Sequence, residues 1–294
     1  MCLYVSLFLS PQRLTSCGSI TSKNSCIIAL QLFFLLHLPM QYTLKKSLGQ
    51  HFLKDENILQ KIRDEVAGQL KITGVTHLAE VGPGAGALTK YLLQLGDINF
   101  KAIEIDAEKV SYLQHTYPAA KDKIIHSDFL ESAIPFAEPF MVVGNFPYNI
   151  SSQILFKILD WKEEVACMIG MFQKEVAERI CSGPGKKAYG ILSVLVQAFY
   201  HVHYLFDVEP RSFNPPPKVM SGVIDFIRKD DVPEMKSEAA FFRLVKTAFN
   251  QRRKMLRNAV KALFDETTLQ NDIFSKRAEQ LSVQDFAKLS FEMK

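Results

Sequence analysis

The chain has 294 residues, enough for one large domain or for a large domain followed by a small one. Its hydrophobic content of 48% and its charged content of 22% are those of a globular protein and exclude a low-complexity or collagen-like chain. The net charge of +4 is small, but residues 243–261 hold seven basic side chains and no acidic one. A basic block of this kind predicts a polyanionic partner.

The first 39 residues differ in composition from the rest of the chain. They contain no acid, only two bases and an apolar run from Cys26 to Leu38. That run is short for a membrane span, and Pro39 stands where a signal peptide would carry a small residue for cleavage. We interpret residues 1–39 as a disordered extension ahead of a true start at Met40. The expected protein is cytoplasmic and makes no membrane contact.

The five cysteines show neither a CxxC pair nor the Cys/His spacing of a metal site, so no metal is expected. Cys167 and Cys181 are predicted to be buried thiols.

Hydrophobic periodicity predicts an alternation of helices and strands. The predicted elements are a helix over 58–70, a strand over 76–81, a helix over 87–95, a strand over 100–105, a helix over 107–117, strands over 124–125, 140–144 and 165–172, and a helix over 173–181. Such alternation predicts an α/β fold with a largely parallel, doubly wound, Rossmann-like sheet. Ligands bind these sheets at the carboxyl ends of the strands.

A different pattern begins near Lys229, after a predicted strand over 222–227. It predicts helices alone, over 238–249, 252–264, 273–279 and 283–289. We therefore divide the chain into residues 1–39, an α/β domain over 40–228 and a small all-helical domain over 229–294.

The first strand runs into the turn Glu80-Val81-Gly82-Pro83-Gly84. Glycines let a backbone turn sharply and approach a ligand closely. Gly82 and Gly84 also fit a dinucleotide pattern, but Pro83 removes an N–H group that a pyrophosphate would need, and Glu80 adds negative charge. These residues favour a cationic ligand without phosphate, such as S-adenosylmethionine.

Two more acidic residues end predicted strands. Glu104 is placed to bind a ribose diol, and Asp128 to accept a hydrogen bond from the adenine amine of the cofactor.

The segment Asn145-Phe146-Pro147-Tyr148 follows an apolar strand. Side-chain and backbone oxygens there can accept both hydrogens of an exocyclic amine, while Tyr148 lies against the ring that carries the amine. Methylation of adenine N6 requires this arrangement. Phe213, held by the three prolines that follow Asn214, is expected on the opposite face of the ring.

The basic block is expected to form the main helix of the C-terminal region. One face would be apolar, with Val245, Phe249, Leu256, Val260 and Leu263, and a neighbouring face would be basic, with Lys246, Asn250, Arg253, Arg257 and Lys261. A basic face without acids favours phosphate binding.

In this order the motifs resemble the ribosomal RNA adenine dimethyltransferase family, in its bacterial small-subunit (KsgA-type) branch. The motifs that carry the resemblance are Gly49-Gln50-His51-Phe52-Leu53, Glu80 to Gly84, Glu104-Ile105-Asp106, Asn145 to Tyr148, Lys187-Ala188-Tyr189-Gly190, Phe213 to Lys218 and Phe249 to Lys254. His51 stands where the family often has Asn, and Phe146 stands where it often has Leu.

The resemblance implies transfer of methyl groups from S-adenosylmethionine to N6 of two adjacent adenosines near the 3′ end of 16S ribosomal RNA, in an assembling small subunit bound by a monomer. It assigns cofactor binding to His51, Leu53, Gly82, Glu104, Asp128 and Asn145. It assigns the target adenine to Asn145, Pro147, Tyr148 and Phe213. RNA binding is assigned to Lys218, Lys246, Arg252, Arg253, Lys254 and Arg257.

Three alternatives remain from the sequence. One is the branch that methylates an adenosine of large-subunit RNA, and another is a non-catalytic RNA-binding assembly factor on the same fold. The third is a nicotinamide dehydrogenase, which would leave Asn145 to Tyr148 and the basic block without a role.

Overall fold

A computed structural model describes residues 51–294. The interpretation of residues 1–39, the start at Met40 and the motif residues Gly49 and Gln50 lie outside the described residues. In the described part of the chain, no helix has the length and apolar content needed to cross a membrane.

The helices and strands follow one another in the predicted alternation. The helices are α1 (Glu56–Thr73), α2 (Thr89–Leu92), α3 (Ala107–Thr116), α4 (Ser151–Asp160), α5 (Lys174–Cys181), α6 (Ile191–Phe199), α7 (Glu238–Asn250), α8 (Leu256–Val260) and α9 (Val283–Phe291). The strands are β1 (Phe52–Leu53), β2 (His77–Val81), β3 (Asn99–Glu104), β4 (Ile124–His126), β5 (Phe140–Asn145), β6 (Val165–Gln173), β7 (Tyr200–Val208), β8 (Phe213–Asn214) and β9 (Ser221–Arg228).

Seven strands form one sheet in the order β4-β3-β2-β5-β6-β9-β7. The first five are parallel, and β9 and β7 are antiparallel to their neighbours. Strands β1 and β8 form a separate antiparallel pair. The prediction of a largely parallel, Rossmann-like α/β sheet is confirmed.

Apolar strands explain why both faces of the sheet are covered. All of β5 from Phe140 to Val143 is buried, as is β6 from Cys167 to Phe172, so each strand presents apolar side chains on both sides. Helices α1 to α3 pack on one face through one hydrophobic cluster, and α4, α6 and α7 pack on the other through a second. The carboxyl ends of the parallel strands are left open between these layers.

Local signals fix the ends of α1. Its first turn is capped by the side chain of Asp55, which accepts hydrogen bonds from the backbone N–H groups of Asn57 and Ile58. Gly74 ends the helix in the left-handed conformation, with φ of 70°.

The C-terminal helices share a hydrophobic core with the sheet layer. Phe249 of α7 lies edge-on to Tyr189 and next to Phe286 of α9, and all three side chains are buried. The same cluster extends to Phe172 of the sheet. The division at residues 228 and 229 remains a prediction.

The helix predicted over 238–249 is present, but the helix predicted over 252–264 is much shorter than expected. Helix α7 ends at Asn250, residues 251–254 form turns, and α8 is a single short helix from Leu256 to Val260. The break occurs because Met255 forms a β-bridge with Arg277 and the Leu256 N–H donates to the Lys276 carbonyl oxygen. The five predicted apolar positions are all buried nonetheless, whereas the basic ones lie on different elements.

The predicted helix over 273–279 is also wrong. Two 3₁₀ turns occupy Asp272–Ser275 and Ala278–Gln280, and the residues between them are extended because they pair with Met255. The helix expected over 87–95 is reduced to one regular turn, α2. Helices α4 and α6 and strand β7 lacked a sequence prediction.

Candidate active site

A cavity of about 250 Å³ opens at the carboxyl ends of the parallel strands. It is lined by segments that follow β2, β3, β4 and β5, and by residues of β1 and α1. Its lining includes the predicted site residues His51, Leu53, Gly82, Glu104, Asp128, Asn145, Pro147 and Tyr148. The strand-end motifs of the sequence therefore meet in one cavity.

The glycine-rich turn and Glu104 hold each other in place. Gly82 and Gly84 adopt φ of 68° and 58°, which side chains other than glycine rarely adopt. The Gly84 N–H donates to Glu104 Oε2 at 2.9 Å, and the Asp106 N–H donates to Glu104 Oε1 at 3.0 Å. Both carboxylate oxygens are thus oriented, and each keeps a further lone pair for a ligand such as a diol.

Glu80 is a buried acid beneath the same turn. Its Oε2 accepts a hydrogen bond of 2.7 Å from Thr89 Oγ1. Burial raises the pKa of Glu80 to about 8, and the nearby carboxylate of Glu104 adds to this increase against the effect of the Thr89 hydrogen bond. A cation in the cavity would favour the ionised form of Glu80, which matches the sequence argument for a positively charged ligand.

Asp128 and Ile105 line a further part of the cavity, after strands β4 and β3. Asp128 Oδ1 accepts from the Leu130 N–H at 2.9 Å, and its Oδ2 accepts no hydrogen bond from residues 51–294. Ile105 lines the cavity and is 49% exposed, which suits the apolar face of a planar ring. The sequence analysis did not single out Ile105 for a role, although an apolar residue between Glu104 and Asp106 is a usable signal.

Asn145 ends β5 with its side-chain amide fixed. Its Nδ2 donates to the backbone carbonyl oxygen of His51 at 2.9 Å. This hydrogen bond orients the amide so that Oδ1 is the atom left to accept from a ligand, and no hydrogen bond from residues 51–294 ends on Oδ1.

The two backbone carbonyl groups after Asn145 differ in their partners. The Pro147 oxygen accepts from the Ile150 N–H and from Ser151 Oγ, both at 3.2 Å. No hydrogen bond from the described part of the chain ends on the Phe146 oxygen. Asn145 Oδ1 and the Phe146 carbonyl are therefore the acceptors available for a ligand amine.

Tyr148 is held at its hydroxyl end, where its oxygen lies 2.6 Å from Ser221 Oγ. Burial raises the pKa of Tyr148 above its ordinary value, so the phenol remains neutral. The His51 ring stacks on Tyr148, with ring centroids 5.7 Å apart and an interplanar angle of 26°. His51 Nδ1 lies 2.8 Å from the Pro215 carbonyl oxygen, so Nδ1 carries the donated hydrogen.

The Phe146 ring forms the floor beneath Asn145. It is 1% exposed and lies against two paired glycines, Gly144 of β5 and Gly170 of β6. A Cβ at Gly170 would stand 2.6 Å from the Phe146 ring and equally close to Phe172. The sequence did not reveal this fit, because it depends on the register of two strands.

Gly170→Ala is therefore expected to displace Phe146 and with it the backbone of Asn145. Overpacking of this kind costs about 1–3 kcal/mol in stability, and we expect the rate of the reaction at this site to fall by about tenfold or more. Thermal unfolding and single-turnover kinetics measure the two effects. Gly183→Ala is the control, because a Cβ there meets no atom within 4 Å. Wild-type kinetics for Gly170→Ala would show that the packing of the Phe146 ring does not determine the position of Asn145.

Phe213 is not brought into the cavity. It is 1% exposed and packs in a hydrophobic cluster, because β8 pairs with β1 and places Phe213 opposite Leu53. Its predicted place on the target ring is not supported by this geometry and remains a prediction.

The predicted RNA-binding residues lie on four segments, of which α8 carries the half-buried Arg257. Lys218 is exposed on the loop before β9, and the Lys246 ammonium group lies 5.0 Å from the centre of the Phe156 ring. Arg253 and Lys254 are exposed in the turn after α7. Arg252 has partners within the protein: its Nε donates to Glu279 at 2.7 Å and its Nη2 donates to the Lys187 carbonyl oxygen.

In residues 51–294, no cluster of three or more His, Cys, Asp or Glu side chains could hold a metal ion. Cys167 is buried and Cys181 is partly buried, and burial raises the pKa of both thiols to about 12.

The sheet and the cavity together are those of a Rossmann-like methyltransferase. Residues 41–293 match the family described as ribosomal RNA adenine dimethylase. The chain belongs to this family.

Two relatives are both called ribosomal RNA small subunit methyltransferase A. The protein from Flavobacterium johnsoniae is 53% identical over 250 residues, which cover 84% of this chain and 94% of that protein. The protein from Cytophaga hutchinsonii is 48% identical over 251 residues, covering 84% and 95%.

Two solved structures are similar in fold. A dimethyladenosine transferase from Plasmodium falciparum has a TM-score of 0.69 and 26% identity, and the match covers 83% of this chain and 99% of that one. The 23S rRNA methyltransferase ErmE has a TM-score of 0.61 and 22% identity, covering 82% and 99%. The second likeness concerns the fold alone.

Proposed function

We propose that this protein transfers methyl groups from S-adenosylmethionine to N6 of two adjacent adenosines near the 3′ end of 16S ribosomal RNA, in the assembling small subunit. The observation that carries the proposal is the fixed amide of Asn145 beside the unoccupied carbonyl of Phe146. The names of the relatives at 48–53% identity support the small-subunit substrate. We expect the protein to act as a monomer in the cytoplasm.

The residues present fit the cofactor. Glu104 offers two oriented carboxylate oxygens to a ribose diol, and Asp128 Oδ2 is available to an adenine amine beside Ile105. Glu80 supplies buried negative charge for a cation. Bound S-adenosylmethionine supplies an electrophilic methyl group. No metal takes part in this proposal.

Two acceptors hold the target amine, one from a side chain and one from the backbone. Asn145 Oδ1 accepts one hydrogen and the Phe146 carbonyl oxygen accepts the other, while the ring of Tyr148 lies against the base. Two acceptors would turn the nitrogen lone pair out of conjugation with the ring, so that it can take a methyl group from the sulfonium of bound S-adenosylmethionine and leave the thioether S-adenosylhomocysteine. Positioning and polarisation of the amine then account for most of the rate, and the proton leaves to water after transfer. Pro147 fixes the backbone with φ of −58°. Its carbonyl oxygen accepts a hydrogen bond from Ser151 Oγ in the first turn of α4 and is not needed for the amine.

Arg253 and Lys254 are the best residues for a test of phosphate binding, because both are exposed and neither forms an ion pair with residues 51–294. Arg253→Ala with Lys254→Ala should reduce the slope of log affinity against log salt by about two, one for each phosphate contact. Binding to small ribosomal subunits at several salt concentrations measures this slope.

Arg252→Ala is the matched control for that experiment. We expect it to lower the melting temperature and to change the slope less, because Arg252 is bound to Glu279 and to the Lys187 carbonyl. If the double variant keeps the wild-type slope, Arg253 and Lys254 are simply a solvated surface.

The likeness to a 23S rRNA methyltransferase at 22% identity does not favour the large-subunit alternative. The polar set of Glu80, Glu104, Asp128 and Asn145 is complete in the cavity, which speaks against a non-catalytic assembly factor.

A further inference from the structure

We propose that Ser221 is a positioning residue for methyl transfer: its hydroxyl group fixes the ring of Tyr148 at the angle that keeps the target adenine in reach of Asn145. This inference rests on the proposed function and extends it to a residue that does not line the cavity. Ser221 is the first residue of β9, one position before the strand that the sequence predicted, and it was assigned no role.

The first step in the argument is the contact between the two hydroxyl groups. Ser221 Oγ lies 2.6 Å from the hydroxyl oxygen of Tyr148. Within residues 51–294, no other hydrogen bond ends on either of these oxygen atoms. Ser221 is 0% exposed, and a buried hydroxyl group without a partner is unfavourable. The two groups therefore depend on each other.

The second step concerns the rigidity of the anchor. Strand β9 lies inside the sheet, and Ser221 pairs with Gln173 of β6 on one side and with Val208 of β7 on the other. The neighbouring Met220 carbonyl oxygen accepts a hydrogen bond of 2.9 Å from the Lys174 N–H. Side chains on paired strands are held more precisely than side chains on loops, so Ser221 offers a fixed point.

The third step concerns the need for such an anchor. Tyr148 begins a short 3₁₀ turn, Tyr148–Ile150, and its carbonyl oxygen accepts from Ser151 Oγ at 3.1 Å. That hydrogen bond fixes the main chain and not the torsion angles of the side chain. The His51 ring stacks on the Tyr148 ring, and the bond to Ser221 holds the far end of the side chain. The plane of the ring is thereby set.

The fourth step connects the ring to the reacting atom. The Asn145 amide is fixed by its hydrogen bond to the His51 carbonyl oxygen, so Oδ1 has a defined position. An adenine whose amine is bound by this oxygen takes its orientation from the Tyr148 ring against which it lies. A displacement of about 1 Å can cost on the order of 100-fold in rate, so a loosened ring should slow the chemical step.

Two variants remove the same hydrogen bond from opposite ends. Ser221→Ala removes the anchor and leaves the phenol, whereas Tyr148→Phe removes the phenol oxygen and leaves the ring. The double variant removes both groups. Methyl transfer to small ribosomal subunits that lack dimethyladenosine gives kcat and KM for each protein, and calorimetry gives the affinity for S-adenosylmethionine. Thermal unfolding shows that each variant is folded at the assay temperature.

We expect each single variant to lower kcat by about tenfold, while KM for the subunits and the cofactor affinity stay within about threefold. The double variant should lose about as much as one single variant, because the second substitution has no bond left to remove. Ser290→Ala is the matched control. Ser290 is also 0% exposed and its hydroxyl donates to the Ala287 carbonyl oxygen within α9, so this variant should lose stability and keep the wild-type kcat.

Wild-type kcat in Ser221→Ala would overturn the inference. So would a double variant whose loss is the product of the two single losses, because Ser221 would then act independently of Tyr148. If Ser221→Ala does not fold, wild-type kcat in Tyr148→Phe overturns the inference from the other end of the bond. A wild-type protein that transfers no methyl group would instead contradict the proposed function itself.

Discussion

Asn145→Ala is expected to lower methyl transfer by about 100- to 1,000-fold while RNA binding stays within about twofold of wild type. The variant removes the Oδ1 acceptor, so the amine is bound by the Phe146 carbonyl alone and its lone pair stays delocalised. Loss of one preorganised polar group at the reacting atom has effects of this size in other enzymes. The basic residues expected to bind phosphates lie outside the cavity, so affinity for RNA should not depend on Asn145.

Single-turnover transfer and a binding assay with small ribosomal subunits measure the two quantities. Asn149→Ala is the matched control, since Asn149 is an exposed asparagine on the same loop that also lines the cavity. We expect that variant to lose no more than about fivefold in rate. A parallel loss of RNA binding in Asn145→Ala would contradict the separation of roles.

Glu80→Gln is expected to weaken cofactor binding while stabilising the fold above neutral pH. The pKa of Glu80 is about 8, so the free protein holds this carboxyl largely protonated at pH 6.5. A cationic ligand binds the ionised form better, and binding should release a proton. Affinity of the wild type should therefore rise by about tenfold between pH 6.5 and pH 8, and the variant should show a weaker affinity with a smaller rise.

The same substitution is expected to weaken cofactor binding but to stabilise the folded protein. The carboxyl of Glu80 ionises near pH 4.5 in the unfolded chain but near pH 8 in the folded one. Between these values the unfolded state has released a proton that the folded state keeps, so the free energy of unfolding falls as pH rises. Glu80→Gln removes this dependence and should raise the free energy of unfolding by on the order of 2–4 kcal/mol at pH 8, with little change at pH 5.

Calorimetric titration with S-adenosylmethionine and denaturant unfolding, each at two pH values, test both parts. The exposed Glu131→Gln serves as the control. If Glu80→Gln binds the cofactor as the wild type does, the buried charge has only a structural role.

The sheet was predictable because its strands are short apolar runs that end in glycine or in polar residues. The apolar run Val142-Val143-Gly144 predicts a buried strand, and Asn145 directly after it predicts a site at the end of that strand. Glu80, Glu104 and Asp128 were found in the same way, since parallel strands bring their carboxyl ends to one edge. The regularity of the fold thus made most of the cavity lining accessible to sequence reasoning.

The features that the sequence did not predict depend on contacts between segments that are far apart in the chain. The proline run suggested a rigid Phe213 but not its direction, which follows from the pairing of β8 with β1. The sequence predicted a long helix over 252–264 because Leu256, Val260 and Leu263 have helical spacing, and all three side chains are buried although the helix is short. The short length of α8 follows from the bridge between Met255 and Arg277 and from the hydrogen bond that the Leu256 N–H donates to the Lys276 carbonyl oxygen.

The most direct test of the central claim is transfer of labelled methyl groups from S-adenosylmethionine to small ribosomal subunits that lack dimethyladenosine, with mature large subunits as the control. The account predicts label recovered as dimethyladenosine in 16S RNA of the small subunit and none in the large subunit. Label in large-subunit RNA, or cofactor binding without transfer to either subunit, would contradict it.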